Sequence, residues 1–160
     1  MATITLNGHP THTCGELPLV GHATPPFTLT RKDLSDLSSV DLEGQRVILS
    51  IFPSLDTSTC AESVRKFNHL TADLQDAVLL CVSMDLPFAQ SQFCGSEHLE
   101  RVVTASAFRH LEFGTAFGLT LIDGPMRGLL ARAVVALDEN GTIVHTELVP
   151  ELTREPDYDL

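Results

Sequence analysis

The stretch VILSIFPSLDTSTCAESVRKFN, residues 47–68, passes from a strand to a helix within a few positions. VILSIF (47–52) is an apolar run rich in β-branched and aromatic residues, the composition of a strand. It runs into Pro53. Thr57 follows, and then a lone cysteine, Cys60, where a helix should begin. Beyond it Ala61, Val64, Phe67, Leu70 and Leu74 recur at helical spacing, an amphipathic stripe. Thr59-Cys60-Ala61-Glu62 fits the Ser/Thr-x-x-Glu capping box, so Thr59 is the predicted N-cap and Cys60 lies in the first turn.

The same reading extends outward in both directions. TITL (3–6) and THT (11–13) flank NGHP and predict an opening β-hairpin. PFTLT (26–30) is a further strand, and AVLLCVSM (77–84) is apolar almost throughout, as a strand covered on both faces must be. RAVVALDENGTIVHTELV (132–149) predicts two strands about an Asn-Gly turn. Shorter helices are expected over 87–94 and 107–117, with a strand between them. Neither repeats nor linkers interrupt the chain, so residues 1–160 are expected to form a single domain. The order predicts an α/β fold, a central mixed sheet flanked by helices with an N-terminal hairpin, and a thioredoxin-like sheet fits it.

Composition narrows the function. A hydrophobic fraction of 43% with 19% charged residues describes a globular chain. The net charge of −11, with no Lys/Arg cluster, repels phosphate backbones and argues against a nucleic-acid partner. MATITLNGHPTHT (1–13) has no basic region and no apolar stretch of signal-peptide length. No apolar run approaches the roughly 20 residues that span a bilayer. The expectation is a soluble, cytoplasmic chain without a membrane partner. In that reducing compartment its cysteines (14, 60, 81 and 94) should be thiols unless one pair is redox-active.

The start of a helix favours an anion, through unpaired backbone N–H groups and the positive end of the dipole. A cysteine there is drawn toward its nucleophilic thiolate. The competing reading of Cys60 is a buried cysteine used as a small apolar residue. Cys81, inside AVLLCVSM, is expected in the core, and Cys14, just past the hairpin, has only a structural role. There is no CxxC pair. Thr57 stands where such a motif places its first cysteine. Its hydroxyl cannot form a disulfide but can hold an oxygen-bearing substrate. His9-x-x-His12-x-Cys14 offers possible metal ligands without another at zinc-like spacing, so no metal is expected. His69, His98, His110 and His145 are scattered and read as surface or packing residues.

Pro53-x-x-x-Thr57-x-x-Cys60 resembles the PxxxT/SxxC active-site motif of the peroxiredoxins. KDLSDL (32–37), SVRKFN (63–68), DLPFAQSQFCG (85–95) and DGPMRGLLARAVV (123–135) extend the likeness to the bacterial thiol peroxidase branch, the atypical two-cysteine enzymes. The resemblance implies a thioredoxin-fold homodimer that reduces hydroperoxides without a cofactor. Cys60 would be the peroxidatic cysteine, Cys94 the resolving one, and Thr57, Pro53 and Arg132 would complete the pocket. It further implies an intramolecular Cys60–Cys94 disulfide, reduced by an external dithiol such as thioredoxin. The family continues past EPDY (155–158) into another helix, whereas this sequence stops at Leu160.

Two other functions compete. A disulfide-exchange protein would use the same sulfur chemistry, but the missing CxxC argues against it. A non-catalytic binding module could retain the fold, yet both candidate redox cysteines and Arg132 are present.

Overall fold

The computed structural model describes residues 1–70, 77–97 and 102–157. At its start β1 (Thr3–Leu6) and β2 (His9–His12) pair antiparallel with Leu6 opposite His9. Asn7 and Gly8 between them have φ of 51° and 82°, the positive pair that a tight two-residue hairpin turn demands. The turn is shorter than the NGHP loop read from the sequence, and the second strand begins at His9 instead of Thr11.

Among the described residues the main sheet has seven strands, in the order β4-β3-β7-β6-β5-β8-β9. These are β3 (Thr28–Thr30), β4 (Asp36–Ser38), β5 (Arg46–Ile51), β6 (Ala77–Ser83), β7 (Val102–Ser106), β8 (Ala133–Leu137) and β9 (Ile143–Leu148). β5, β6 and β7 run parallel, and the flanking strands are antiparallel to their neighbours, so the sheet is mixed. The strand expected between the second and third helices is β7. β4 was not expected, because three residues carry too little alternation to register. The β8–β9 turn is closed by Asp138, whose Oδ1 accepts the N–H groups of Asn140 and Thr142 at 2.9 Å each.

Strand alternation divides the core. Val47, Leu49, Ile51, Leu80, Val82 and Val135 face one side, against Phe27 and the stacked rings of Phe113 and Phe117. Phe52, Leu79, Cys81 and Val134 face the other, against Cys60, Val64 and Phe67 of α1 (Ser58–Leu70). Burying each large apolar side chain contributes about 1.5–3 kcal/mol, so both faces hold the sheet in place. Leu74, at the end of the expected stripe, lies outside the described residues.

α2 (Pro87–Glu97) opens with its proline at the first helical position, where a missing N–H costs nothing. α3 (Glu112–Phe117) is shorter than the helix expected from residue 107. Ala107–Leu111 instead makes a turn in which His110 N–H donates to Ala107 O at 3.1 Å. Gly118 ends α3 in the left-handed region at φ 68°, and any Cβ there would collide with the backbone of Glu16. The consequence for function lies at the carboxyl ends of β5 and β6. They are adjacent and parallel, the place where α/β sheets present their sites.

Candidate active site

Pairing continues one residue beyond β5, where Phe52 N–H donates to Val82 O at 3.1 Å. Pro53 has no N–H to extend it, and the chain turns into the loop Ser54–Asp56. Thr57 closes that loop by donating its hydroxyl to Ser54 O at 3.1 Å. The same Oγ1 accepts the N–H of Cys60 at 3.2 Å, while Thr57 O accepts the N–H of Ala61 at 3.0 Å. This is N-cap geometry, so Thr57 and not Thr59 caps α1. Thr59 is drawn away because its hydroxyl donates to Thr153 O at 3.2 Å, and Glu62 pairs with Arg65 at 3.3 Å. Cys60 is thus the third residue of the helix, 0% exposed, in an apolar cluster that includes the buried Phe52 and Leu55; Pro53 between them is buried too.

Arg132 directly precedes β8. Ala133 pairs with Ile51, which sets Arg132 level with Phe52 and Pro53. Its side chain is buried, at 2% exposure. Nε and Nη2 both donate to Leu152 O, at 3.3 and 2.9 Å, whereas Nη1 has no partner. A buried guanidinium costs several kcal/mol of desolvation unless its protons are used, so the spare N–H is a donor suited to an acceptor oxygen.

The turn that supplies Leu152 O is held by Glu151. Its carboxylate accepts the N–H and hydroxyl of Thr153, the N–H groups of Gly8 and Asn7, and the hydroxyl of Thr5, all at 2.8–3.2 Å. The Thr153 and Gly8 bonds lead in holding its pKa down at about 2. A depressed carboxyl stabilises the fold fully above its unfolded value and loses that contribution as pH falls through the folded one. Glu151→Gln should therefore unfold at lower denaturant than wild type near neutrality. The gap between the two midpoints should begin to close below about pH 4.5, the ordinary Glu range, and vanish toward about 2. A gap constant across a urea titration series from pH 7 downward would refute this.

Cys94 lies on α2. Together with Phe93 it packs on the apolar cluster that contains Cys60, Phe52, Leu55 and Val64. Burial pushes the Cys94 thiol up, partly offset by the charge of Lys32. Cys81 faces the same cluster from mid-strand, where burial foremost, and Cys94 second, hold it far above the thiol range. It is a core thiol with no thiolate character, as its strand position predicted. Cys14 is exposed, with Sγ 3.6 Å from Gly114 O. All four cysteines are free thiols. Gly95–Glu97 continue α2 past Cys94, and His98 lies outside the described residues. His12 Nδ1 is taken up by Asp123 Oδ2 at 2.6 Å, and among the described residues no three His, Cys, Asp or Glu side chains are grouped to hold a metal.

Sequence reasoning passed over two carboxylates, Glu151 and Asp85. Asp85 stood in DLPFAQSQFCG, but nothing in that string shows that it reaches Ser54 Oγ at 2.6 Å.

A mixed sheet flanked by helices, with a buried, hydroxyl-capped thiol in the first turn of the helix after β5 and a second thiol one helix later, is a thioredoxin-like fold of the redox type. Residues 19–160 match the Redoxin family. Thiol peroxidases of Mycobacterium tuberculosis and Mycobacterium bovis are 54% identical over 159 residues, covering 99% of this chain and 95% of theirs. The structure superposes on a peroxiredoxin-like protein from Aquifex aeolicus with a TM-score of 0.93 at 36% identity, covering 99% of this chain and 92% of that one. A thiol peroxidase from Chromobacterium violaceum shares the fold with a TM-score of 0.92 at 16% identity, covering 98% and 91%. The chain therefore belongs to the Redoxin family, in its thiol peroxidase branch.

Proposed function

We propose that this peroxidase reduces hydrogen peroxide and alkyl hydroperoxides through a Cys60 sulfenic acid and a Cys60–Cys94 disulfide, with thioredoxin as reductant, in cytoplasmic antioxidant defence. The observation that carries the reading is the buried Arg132, whose free Nη1 shares the carboxyl end of the sheet with the Thr57-capped Cys60. In the first step the Cys60 thiolate attacks one peroxide oxygen. An S–O bond forms, the O–O bond breaks, and the other oxygen leaves as alkoxide or hydroxide and takes a proton. Arg132 and Thr57 would orient the peroxide and stabilise the charge growing on the leaving oxygen, an electrostatic effect that is usually the largest catalytic contribution. Pro53 would keep water from the sulfur. The apolar wall of Phe52, Leu55 and Phe93 suits an alkyl group.

In the second step the Cys94 sulfur attacks the sulfenic sulfur, an S–S bond forms, and the oxygen departs as water. Disulfide formation requires α-carbons within about 7 Å, and in this reading the two helices yield locally to reach it. Because burial raises its pKa, the Cys94 thiol gains nucleophilicity when it leaves α2. The exposed Leu86 and Phe88 beside the site are apolar surface that a second copy in a homodimer would cover.

Steady-state assays with hydrogen peroxide and an organic hydroperoxide, each coupled to thioredoxin, test the reading. Turnover of both is expected. Insulin reduction without peroxide turnover would mean a disulfide-exchange protein instead.

Arg132→Ala should slow the first step on the order of 100-fold, the loss typical of one oxyanion donor. Arg132→Lys should recover only part of it, since a point charge does not reproduce a planar fork held on Leu152 O. Competition kinetics would show this, and a lysine variant equal to wild type would exclude the fork.

A further inference from the structure

We infer that Asp85 is a positioning residue for both half-reactions: its carboxylate ties the Cys60 loop to the base of the Cys94 helix, holding the peroxide-reactive arrangement and opposing the disulfide-forming one. The inference rests on the assignment of Cys60 and Cys94 above. Asp85 follows β6 and precedes α2. Its Oδ1 accepts the Ser54 hydroxyl at 2.6 Å, and its Oδ2 accepts the Leu55 N–H at 2.8 Å and the Ser83 hydroxyl at 2.7 Å. Ser54 O in turn receives the hydroxyl of Thr57, the residue that caps Cys60. One carboxylate thus reaches the peroxidatic turn through a single intervening residue.

On the other side the knot reaches α2. Gln90, fully buried in that helix, donates Nε2 to Ser83 Oγ at 3.1 Å and to Ala105 O at 3.0 Å. The buried Ser106 donates its hydroxyl to Asp85 O at 2.5 Å. Ser83 and Gln90 bond to each other, and Ser83 and Ser106 both bond to Asp85, a polar knot in which only Gln90 Oε1 lacks a partner among the described residues. Cys94 rides α2 and Cys60 rides α1, and the proposed disulfide step has both helices open as their sulfurs meet. The Asp85 bonds to Ser54 and Leu55 directly link the two loops that lead into these helices.

This arrangement predicts opposite effects on the two steps. Asp85→Ala strands the Leu55 N–H and frees the Ser54 loop, so Thr57 and Cys60 lose their placement. The rate constant for peroxide should fall on the order of 10- to 100-fold, the scale of a small misplacement. The conversion of sulfenic acid to disulfide should rise on the order of five- to tenfold, as for one net hydrogen bond removed from the closed state. Asp85→Asn should recover most of both rates. Its oxygen can take the Leu55 and Ser83 donors while its amide donates to Ser54 Oγ.

The test is competition kinetics for the first step, with rapid quenching, thiol alkylation and intact mass for the second. It is run on wild type, Asp85→Ala, Asp85→Asn and Ser54→Ala. Ser54→Ala removes one bond to the carboxylate and should shift both rates in the same opposing directions by less, which keeps the question open to measurement should the alanine variant misfold. Rates that fall together, or do not move, would overturn the role of Asp85. So would an asparagine variant as slow toward peroxide as alanine, since charge and not hydrogen bonding would then be at work. Peptide mapping of oxidised wild type separates this from the underlying assignment: without a Cys60–Cys94 linkage there, the assignment fails and the inference falls with it.

Discussion

Replacing Cys60 by serine is expected to abolish peroxide consumption, with a loss on the order of 10⁴-fold or more, the scale on which removal of a covalent nucleophile acts. The hydroxyl keeps the size and the first-turn position but is neither ionised nor soft enough to attack an O–O bond. Cys81→Ser and Cys14→Ser serve as controls. Burial holds Cys81 as a protonated thiol in the sheet, and Cys14 lies exposed against Gly114 O, so neither should change turnover much. The serine at 81 would place a hydroxyl in an apolar cluster, and its variant should be less stable although active. The measurement is the rate of peroxide loss with excess thioredoxin. A Cys14→Ser variant as dead as Cys60→Ser would overturn the assignment of the nucleophile.

Cys94→Ser should divide the reaction at its midpoint. The first step needs only Cys60 and its pocket, so one equivalent of peroxide per subunit should still disappear rapidly. Resolution then has no second thiol. The sulfenic acid should persist and, with excess peroxide, pass to the irreversible sulfinic form, so catalysis ends near a single turnover unless thioredoxin attacks the sulfenic acid directly. In wild type, peptide mapping after one equivalent should find Cys60 joined to Cys94 within one chain. Closing that loop of about 34 residues is worth on the order of 3–4 kcal/mol against the unfolded chain in the entropy model. In the proposed mechanism the Thr57 cap and first turn of α1 open to allow it, which offsets the gain, so the oxidised protein need not melt higher. A disulfide between subunits, or one through Cys14 or Cys81, would overturn resolution by Cys94 of the same chain.

Both predictions begin from residues that could be read in the chain. The apolar runs at 47–52 and 77–84, the helical stripe from Cys60 as far as Leu70 and the two hairpins are local patterns, and each became its element. A strand buried on both faces must be apolar throughout, and a helix on a sheet must carry one apolar stripe, so sequence is enough to mark them. Thr-x-x-Cys likewise has the spacing of an N-cap and its third helical residue, so a hydroxyl bonded to the Cys60 N–H is compatible with the sequence. What escaped depended on partners far along the chain. Thr57 and Thr59 are equally good caps by composition, and Thr153 decided between them by taking the Thr59 hydroxyl. The burial of Arg132 followed from Leu152 O, which Glu151 holds against the N-terminal hairpin. Asp85 could be seen in its motif but not its hold on Ser54, 31 positions earlier, because only parallel pairing of β5 with β6 brings those two loops together. Side-chain type and short-range period are written in the sequence, whereas which donor meets which acceptor is settled by the sheet that carries them.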